Sequence, residues 1–156
     1  MATELSVYLP NIPGQFNRVL TALTLAGVNV RGFSVSRSGA TSELRLLFTD
    51  ASETETARAA LVGYNYEVLS TELLVLSYRD RPAELLRITE ALAEIDINIE
   101  YGYFVLGQME TGEVLLALKV PDSEEAFALK HLTDSGFTVF TSTDDSLEAS
   151  RTTSSV

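Results

Sequence analysis

The chain has 156 residues, 46% of them hydrophobic, which is enough to form a core in one ordinary domain or in two very small ones. Its 22 acidic and 11 basic residues give a formal net charge of −11 without a basic patch, which argues against nucleic acids and anionic membranes as partners. Cysteine is absent, which excludes disulfides, thiolate metal sites and a cysteine nucleophile, and fits a reducing, cytoplasmic compartment.

The first half of the chain predicts strands and helices from the spacing of its apolar residues. In chain order these are a strand at 5–9, a helix at 15–26, strands at 28–37 and 43–49, a helix at 52–63 and a strand at 66–69. Pro13 suits the first turn of the first helix, where its missing N–H would be unpaired anyway. Gly27 and Gly63 are expected to end the two helices.

The second half predicts the same series of elements. A strand at 72–77 and a turn at 79–81 lead into a helix at 82–95, strands at 97–106 and 113–120 around a turn at 108–112, a helix at 123–133 and a strand at 137–140. Residues from 142 onward are rich in Ser, Thr and Asp, and we expect a disordered tail there. We expect neither a signal peptide nor a transmembrane segment.

The two halves align with each other when the sequence is shifted by 69 residues, the distance from position 11 to position 80. Asn11-Ile12-Pro13-Gly14 then falls on Asp80-Arg81-Pro82-Ala83, and Val28-Asn29-Val30 falls on Ile97-Asn98-Ile99. Because a proline, an asparagine between branched residues and their spacing all recur, the chain is interpreted as two copies of one βαββαβ unit.

A βαββαβ unit folds as a four-stranded antiparallel sheet with both helices on one face. We therefore predict an α+β protein of two ferredoxin-like units, residues 1–70 and 71–141, followed by the tail at 142–156. The absence of a flexible linker around residues 66–78 predicts that the units pack side by side. Apolar residues in 33–35 and 103–105 predict partial burial on both sheet faces, and hence a homodimer.

The repeated turn resembles the ACT family, whose members carry Asn-x-Pro-Gly after the first strand and Gly-Val-Asn-Ile or a similar sequence after the first helix. Here these segments are residues 11–14 and 27–30, while the second copy has Asp80 for the Asn and Ala83 for the Gly. The segment 99–103 is also similar to the second unit of stand-alone proteins made of two ACT units. The resemblance implies a non-catalytic regulatory protein that binds an amino acid where two such units meet.

The turn before the first helix has the chemistry to hold an amino acid. The free N–H groups and positive end of a helix suit a carboxylate, and Gly14 permits a close approach to the backbone. Asn11 and Asn29 can both donate and accept hydrogen bonds. The resemblance places Asn29 at the start of the second strand, near the turn. The candidate ligand-binding residues are Asn11, Ile12, Pro13, Gly14, Gln15, Asn29, Val30, Asp80, Arg81, Pro82, Ala83, Asn98, Ile99 and Tyr101.

Structural roles are the alternative for these residues. Asn11 would then cap the turn, Pro13 and Gly14 would only shape it, and Tyr101 would pack in the core or at an interface. Asp80 would repel a ligand carboxylate, so the second site is either degenerate or faces the ammonium group. Arg79 or Arg81 could offset that charge, or both could lie in a solvated turn.

No catalytic or cofactor-binding pattern emerges from the sequence. His131 is the single histidine, so neither a metal site nor a histidine-activated nucleophile is indicated, and no cofactor is expected. Two hypotheses remain. The first is amino-acid sensing; the second is a regulatory subunit that docks on a biosynthetic enzyme without a small ligand.

Overall fold

The computed structural model describes residues 2–106 and 112–140. The chain divides into two compact units, one of Thr3–Thr71 and one formed mainly by the residues from Glu72 onward. Both are βαββαβ units of the predicted α+β class, so the expected fold is confirmed. No helix within these two ranges is long and apolar enough to cross a bilayer.

The first unit is built on β1 (Ala2–Pro10), α1 (Gln15–Leu25), β2 (Gly32–Ser38), β3 (Thr41–Leu47), α2 (Ala51–Gly63) and the start of β4 (Val68–Arg79). The strand order is β2-β3-β1-β4. Strand β3 pairs antiparallel with both β1 and β2. Alternate residues of β1, namely Leu5, Val7 and Leu9, join the core, which α1 and α2 complete through Val19, Leu23, Ala57 and Leu61.

The second unit uses the rest of β4, α3 (Glu84–Glu94), β5 (Tyr101–Val105), β6 (Glu113–Lys119), α4 (Glu125–Asp134) and β7 (Thr138–Phe140). Strand β6 pairs antiparallel with β5 on one side and with β4 on the other, and β7 pairs with β4. Its core repeats that of the first unit, with Leu74, Leu76, Ile88, Leu92, Leu116, Leu118 and Leu132 all buried.

The strands after the first helix of each unit start later than predicted. Strand β2 starts at Gly32 and β5 at Tyr101, although strands were expected from residues 28 and 97. The N–H of Val28 donates to Leu23 O at 3.2 Å, and the N–H of Ile97 donates to Leu92 O at 3.0 Å. Both groups thus close the preceding helix and are not available to the sheet.

The two strands expected at 66–69 and 72–77 form one continuous strand, β4. Its first residues belong to the first unit and the remainder to the second. The predicted turn at 108–112 lies outside the described residues except for Gly112, and the predicted tail from residue 142 lies outside them entirely.

Within the described residues, each α-helix is followed by a residue in the left-handed conformation. These residues are Gly27, Asn65, Asp96 and Gly136, with φ between 59° and 87°. The prediction for Gly27 is confirmed. The second helix also ends at Gly63 as predicted, but Asn65 rather than Gly63 adopts the left-handed conformation, because an asparagine also tolerates positive φ.

The start of α2 also differs from the prediction. The helix begins at Ala51 rather than Ser52, and the Asp50 carboxylate accepts a hydrogen bond from the Glu53 N–H at 2.8 Å. This is the side-chain N-cap that aspartate commonly supplies.

Burial on both faces is found in only part of the sheets. In β4 the consecutive residues Leu73, Leu74, Val75 and Leu76 are all buried. In β2, Phe33 remains 65% exposed and Val35 43% exposed, so the expected two-face burial is wrong for that strand. Strand β2 lies at the edge of its sheet, and the registers of Phe33 with Leu46 and Val35 with Leu44 place both on the helix side.

Candidate functional site

The turn between β1 and α1 is fixed to the β2–β3 hairpin. The Asn11 N–H donates to Ala40 O at 2.8 Å, and the Ser42 hydroxyl donates to Asn11 Oδ1 at 3.2 Å. Gly14 has φ 88° and ψ −10°, the geometry of the third residue of a type II turn, in which proline favours the second position. This arrangement matches the structural role considered for Asn11, Pro13 and Gly14.

Pro13 lies before α1 rather than in its first turn, so that part of the prediction is wrong. The helix starts at Gln15, and Gly14 is its N-cap. The tight turn at Pro13-Gly14 thus precedes the helix, whose start at Gln15 agrees with the prediction. Ile12, 58% exposed, projects from the same turn, where a large apolar group is open to solvent.

The N-terminus of α1 is open to a ligand. It has no side-chain cap and no acidic residue in its first turn. The N-terminus of α2, in contrast, carries the capping Asp50 and an acidic residue, Glu53. Free N–H groups and the positive end of the helix dipole at α1 therefore remain available for an anion.

The second unit repeats this turn in its backbone but not in its chemistry. Ala83 has φ 72° and ψ −11°, close to the values of Gly14, and the Asp80 N–H donates to Gly112 O at 2.7 Å. Glu84 occupies the first turn of α3 and forms ion pairs with Arg81 at 2.9 Å and with Arg87 at 3.1 Å. A carboxylate of the protein itself thus already lies at this helix start.

The two predicted asparagines lie in irregular segments rather than in strands. Asn29 precedes the first residue of β2 by three positions, and Asn98 precedes the first residue of β5 by three. Both are exposed. Among the described residues, no hydrogen bond connects Asn29 to the Asn11 turn.

The remaining predicted residues differ in burial. Val30 and Ile99 are half-buried against the two cores. Tyr101 is half-buried at the start of β5, opposite Lys119 of β6. Pro82 lies in the exposed turn before α3.

A cleft that the sequence did not predict lies on the helical side of the first unit. Its volume is about 400 Å³, and its lining residues are Arg18, Thr21, Ala22, Tyr64 and Tyr66. A smaller cleft of about 190 Å³ lies at the corresponding place in the second unit, lined by Arg87, Glu90, Ala91, Glu94, Ser135 and Phe137. The shift of 69 residues that aligns the two halves also aligns Arg18 with Arg87. The sequence repeat could therefore have identified these two arginines as equivalent residues.

Lys119 is the most deeply buried cation of the described part of the chain. Its ammonium contacts the carboxylates of Asp122 and Glu125 and donates to Glu72 O at 3.3 Å. Burial alone would lower the pKa of Lys119, but the two carboxylates outweigh it, and the pKa is raised above its ordinary value. The ion pairs join the end of β6 to the start of α4, which is a structural role.

His131 is half-buried on α4, and its Nε2 lies 3.8 Å from Glu94 Oε2. Within residues 2–106 and 112–140, no group of three or more His, Asp or Glu side chains is arranged to hold a metal ion.

Comparisons with known proteins agree with this fold. Residues 3–63 match the model of the ACT domain. A search of curated protein sequences finds no match. Among solved structures, protein BT0572 from Bacteroides thetaiotaomicron is 19% identical with a TM-score of 0.79, over 92% of this chain and 94% of that one.

The regulatory subunit of aspartate kinase from Thermus thermophilus, in its ligand-free form, is also similar. It is 18% identical with a TM-score of 0.62, over 86% of this chain and 93% of that one. At such identities the likeness concerns the fold. The matched segment 3–63 contains the β1–α1 turn, so the part of the chain that resembles the ACT domain is also the part that carries the open helix start.

Proposed function

We propose that the protein is a non-catalytic regulatory protein of two ACT units that binds an amino acid at the β1–α1 turn of its first unit. The ligand carboxylate binds the free N–H groups at the start of α1. The observation that carries this proposal is the open N-terminus of α1, with neither a side-chain cap nor an acidic residue in its first turn.

The second unit supports the choice of site by contrast. Its equivalent helix begins with Glu84, which stands where the first unit has Gln15. A carboxylate at this position repels the carboxylate of a ligand. The two sites are therefore unequal, and the first unit is the one that binds an amino acid through its carboxylate.

Structural neighbours suggest what such binding controls. One of them is a regulatory subunit of aspartate kinase, and it is similar over 86% of this chain. We propose by analogy that this protein acts on a biosynthetic enzyme in the cytoplasm and that an amino acid changes its affinity for that enzyme.

A substitution that copies the second unit into the first tests the site. Gln15→Glu places a carboxylate at the start of α1. There the negative charge stabilises the helix by about 0.3–1 kcal/mol through the helix dipole, but it repels an anionic ligand. Each of the twenty amino acids is screened by thermal shift, and any that stabilises the protein is titrated by calorimetry. We expect Gln15→Glu to weaken binding about tenfold or more without lowering the stability of the free protein.

The matched control is Glu84→Gln in the second unit, which should leave the affinity of the first site unchanged. Equal affinity of the Gln15→Glu variant and the unaltered protein would place the ligand elsewhere. If none of the twenty amino acids shifts the melting temperature, amino-acid sensing is wrong.

The second candidate function is docking on a partner enzyme without any small ligand. It rests on the exposed apolar groups of the edge strand β2, Phe33 and Val35. Here a candidate enzyme should be retained by the immobilised protein equally well with and without amino acids. Retention that depends on an amino acid would favour the first function.

A further inference from the structure

We propose that the cleft of the first unit, here called the α1 cleft and lined by Arg18, Thr21, Ala22, Tyr64 and Tyr66, is a second binding site. It takes a small carboxylate with a flat apolar portion and without an ammonium group. This site is distinct from the β1–α1 turn. The proposal therefore does not depend on amino-acid binding at that turn.

Two rigid elements form the α1 cleft. Residues 18, 21 and 22 share one face of α1, since side chains three and four positions apart are neighbours on a helix. The opposite wall is the turn after α2, where Asn65 adopts φ 61° and the Tyr66 N–H donates to Leu61 O at 3.1 Å. The volume of about 400 Å³ falls in the range of small-molecule sites.

The charged group of the α1 cleft is available to a ligand. Arg18 is exposed and, among the described residues, forms neither an ion pair nor a side-chain hydrogen bond. A guanidinium binds a carboxylate through two parallel hydrogen bonds. None of the five lining residues is acidic, so the cleft has no carboxylate to pair with the ammonium of an amino acid.

The remaining lining residues suit a flat apolar group. Tyr64 is 57% exposed, whereas Tyr66 is half-buried against the core. Ala22 is buried and small, and it leaves the floor of the cleft open. Tyrosine rings stack on aromatic groups and retain a hydroxyl for a polar contact.

The second unit has a cleft at the equivalent position, but the arginine of this cleft already has partners within the protein. Arg87 pairs with Glu84 at 3.1 Å, and its guanidinium carbon lies 5.4 Å from the centre of the Phe137 ring, a cation–π distance. Glu90 stands where the first unit has Thr21. The volume falls to about 190 Å³. The duplicated scaffold thus provides one larger cleft with an arginine that is unpaired among the described residues and one smaller cleft whose arginine is paired with an acidic residue.

Calorimetric titration of the full chain with phenylacetate tests the proposal, with benzyl alcohol as the probe that lacks the carboxylate. We expect phenylacetate to bind and benzyl alcohol to fail. Arg18→Gln should weaken phenylacetate binding about tenfold or more, because a hydrogen-bonded charge pair is lost. Thr21→Glu, which copies Glu90 of the second unit, should weaken it as well.

Three controls separate this site from others. Arg87→Gln should leave phenylacetate affinity unchanged, and so should Gln15→Glu at the β1–α1 turn. The melting temperatures of Arg18→Gln and Thr21→Glu should stay close to that of the unaltered protein, since both side chains are exposed. The proposal is overturned if phenylacetate does not bind, if Arg18→Gln binds it equally well, or if Arg87→Gln or Gln15→Glu weakens it as much as Arg18→Gln does.

Discussion

Ala83 adopts φ 72°, a left-handed conformation that costs an L-residue with a Cβ about 1–2 kcal/mol. Gly14, at the equivalent position of the first unit, adopts φ 88° and carries no Cβ. The turn therefore has the same backbone conformation in both units, although only the first unit has the glycine that favours this conformation.

Exchanging the two residues is expected to have opposite effects on stability. Ala83→Gly should raise the free energy of unfolding by about 1 kcal/mol, and Gly14→Ala should lower it by a similar amount. A Cβ at Gly14 would meet no atom within 4 Å, so the effect there is conformational. Urea denaturation measures both; stabilisation by Gly14→Ala would contradict the expectation.

Gly102 is required for a different reason, the close approach of two strands. A Cβ there would lie 2.7 Å from Leu118 Cδ2 and 2.9 Å from Ala117 O. We therefore expect Gly102→Ala to lower the free energy of unfolding by about 1–3 kcal/mol through overpacking. Gly39→Ala is the comparison substitution, with open space around the new methyl group but φ 63°. A smaller loss for Gly102→Ala than for Gly39→Ala would rule out the steric explanation.

At the scale of elements, the ion pairs of Lys119 connect β6 to α4. Lys119→Met would leave Glu125 buried without its cation, and we expect a loss of about 3–5 kcal/mol. Adding Glu125→Leu should recover most of that loss, because an apolar pair of similar volume needs no compensating charge. Equal stability of the single and double variants, measured by denaturant unfolding, would mean that Glu125 has another partner.

The same ion pairs predict how stability depends on pH. The pKa of Lys119 is raised in the folded state, so its contribution is complete below the unfolded pKa of about 10.4 and disappears as pH rises through the folded value. Burial raises the pKa of Tyr8 and of Tyr78, and the neighbouring carboxylates of Glu43 and Asp80, respectively, raise it further. Because each folded-state pKa is raised, deprotonation of these tyrosines at high pH also lowers the stability. Melting temperatures should therefore fall above about pH 10. In the double variant Lys119→Met, Glu125→Leu, the melting temperature should fall less between neutral pH and high pH than in the unaltered protein. An equal fall in both proteins would exclude Lys119 as a cause.

Much of the order of helices and strands was predictable, because the turn residues and the spacing of the apolar residues recur in both halves. The starts of β2 and β5 were not, since Val28, Val30, Ile97 and Ile99 have the alternation of a strand yet contact the cores from irregular segments. Left-handed Asn65 and Asp96 give no signal comparable to that of glycine. For the candidate site, the turn could be predicted from its motif. The α1 cleft could not, because it depends on the packing of α1 against a turn more than forty residues away in the sequence.

At the scale of the whole molecule, the homodimer remains a prediction. It now rests on exposed apolar side chains rather than on apolar residues at both faces of a strand. Two of the exposed apolar groups lie on the edge strands β2 and β5, with Phe33 65% and Phe104 60% exposed. Light scattering at micromolar concentration should give twice the 17.0 kDa mass of the chain. Phe33→Ser should reduce that mass, and Phe127→Ser, at an aromatic residue on α4 that is 56% exposed, should not. A monomeric mass for the unaltered protein would exclude the homodimer.

Strand β4 runs without interruption from Val68 to Arg79, across the boundary between the units at residues 71 and 72. A protease needs an extended, accessible segment that can leave its hydrogen-bonded partners, and a paired strand does not offer one. Limited proteolysis would therefore not yield two intact halves, and a gene fragment ending at the boundary would truncate a strand.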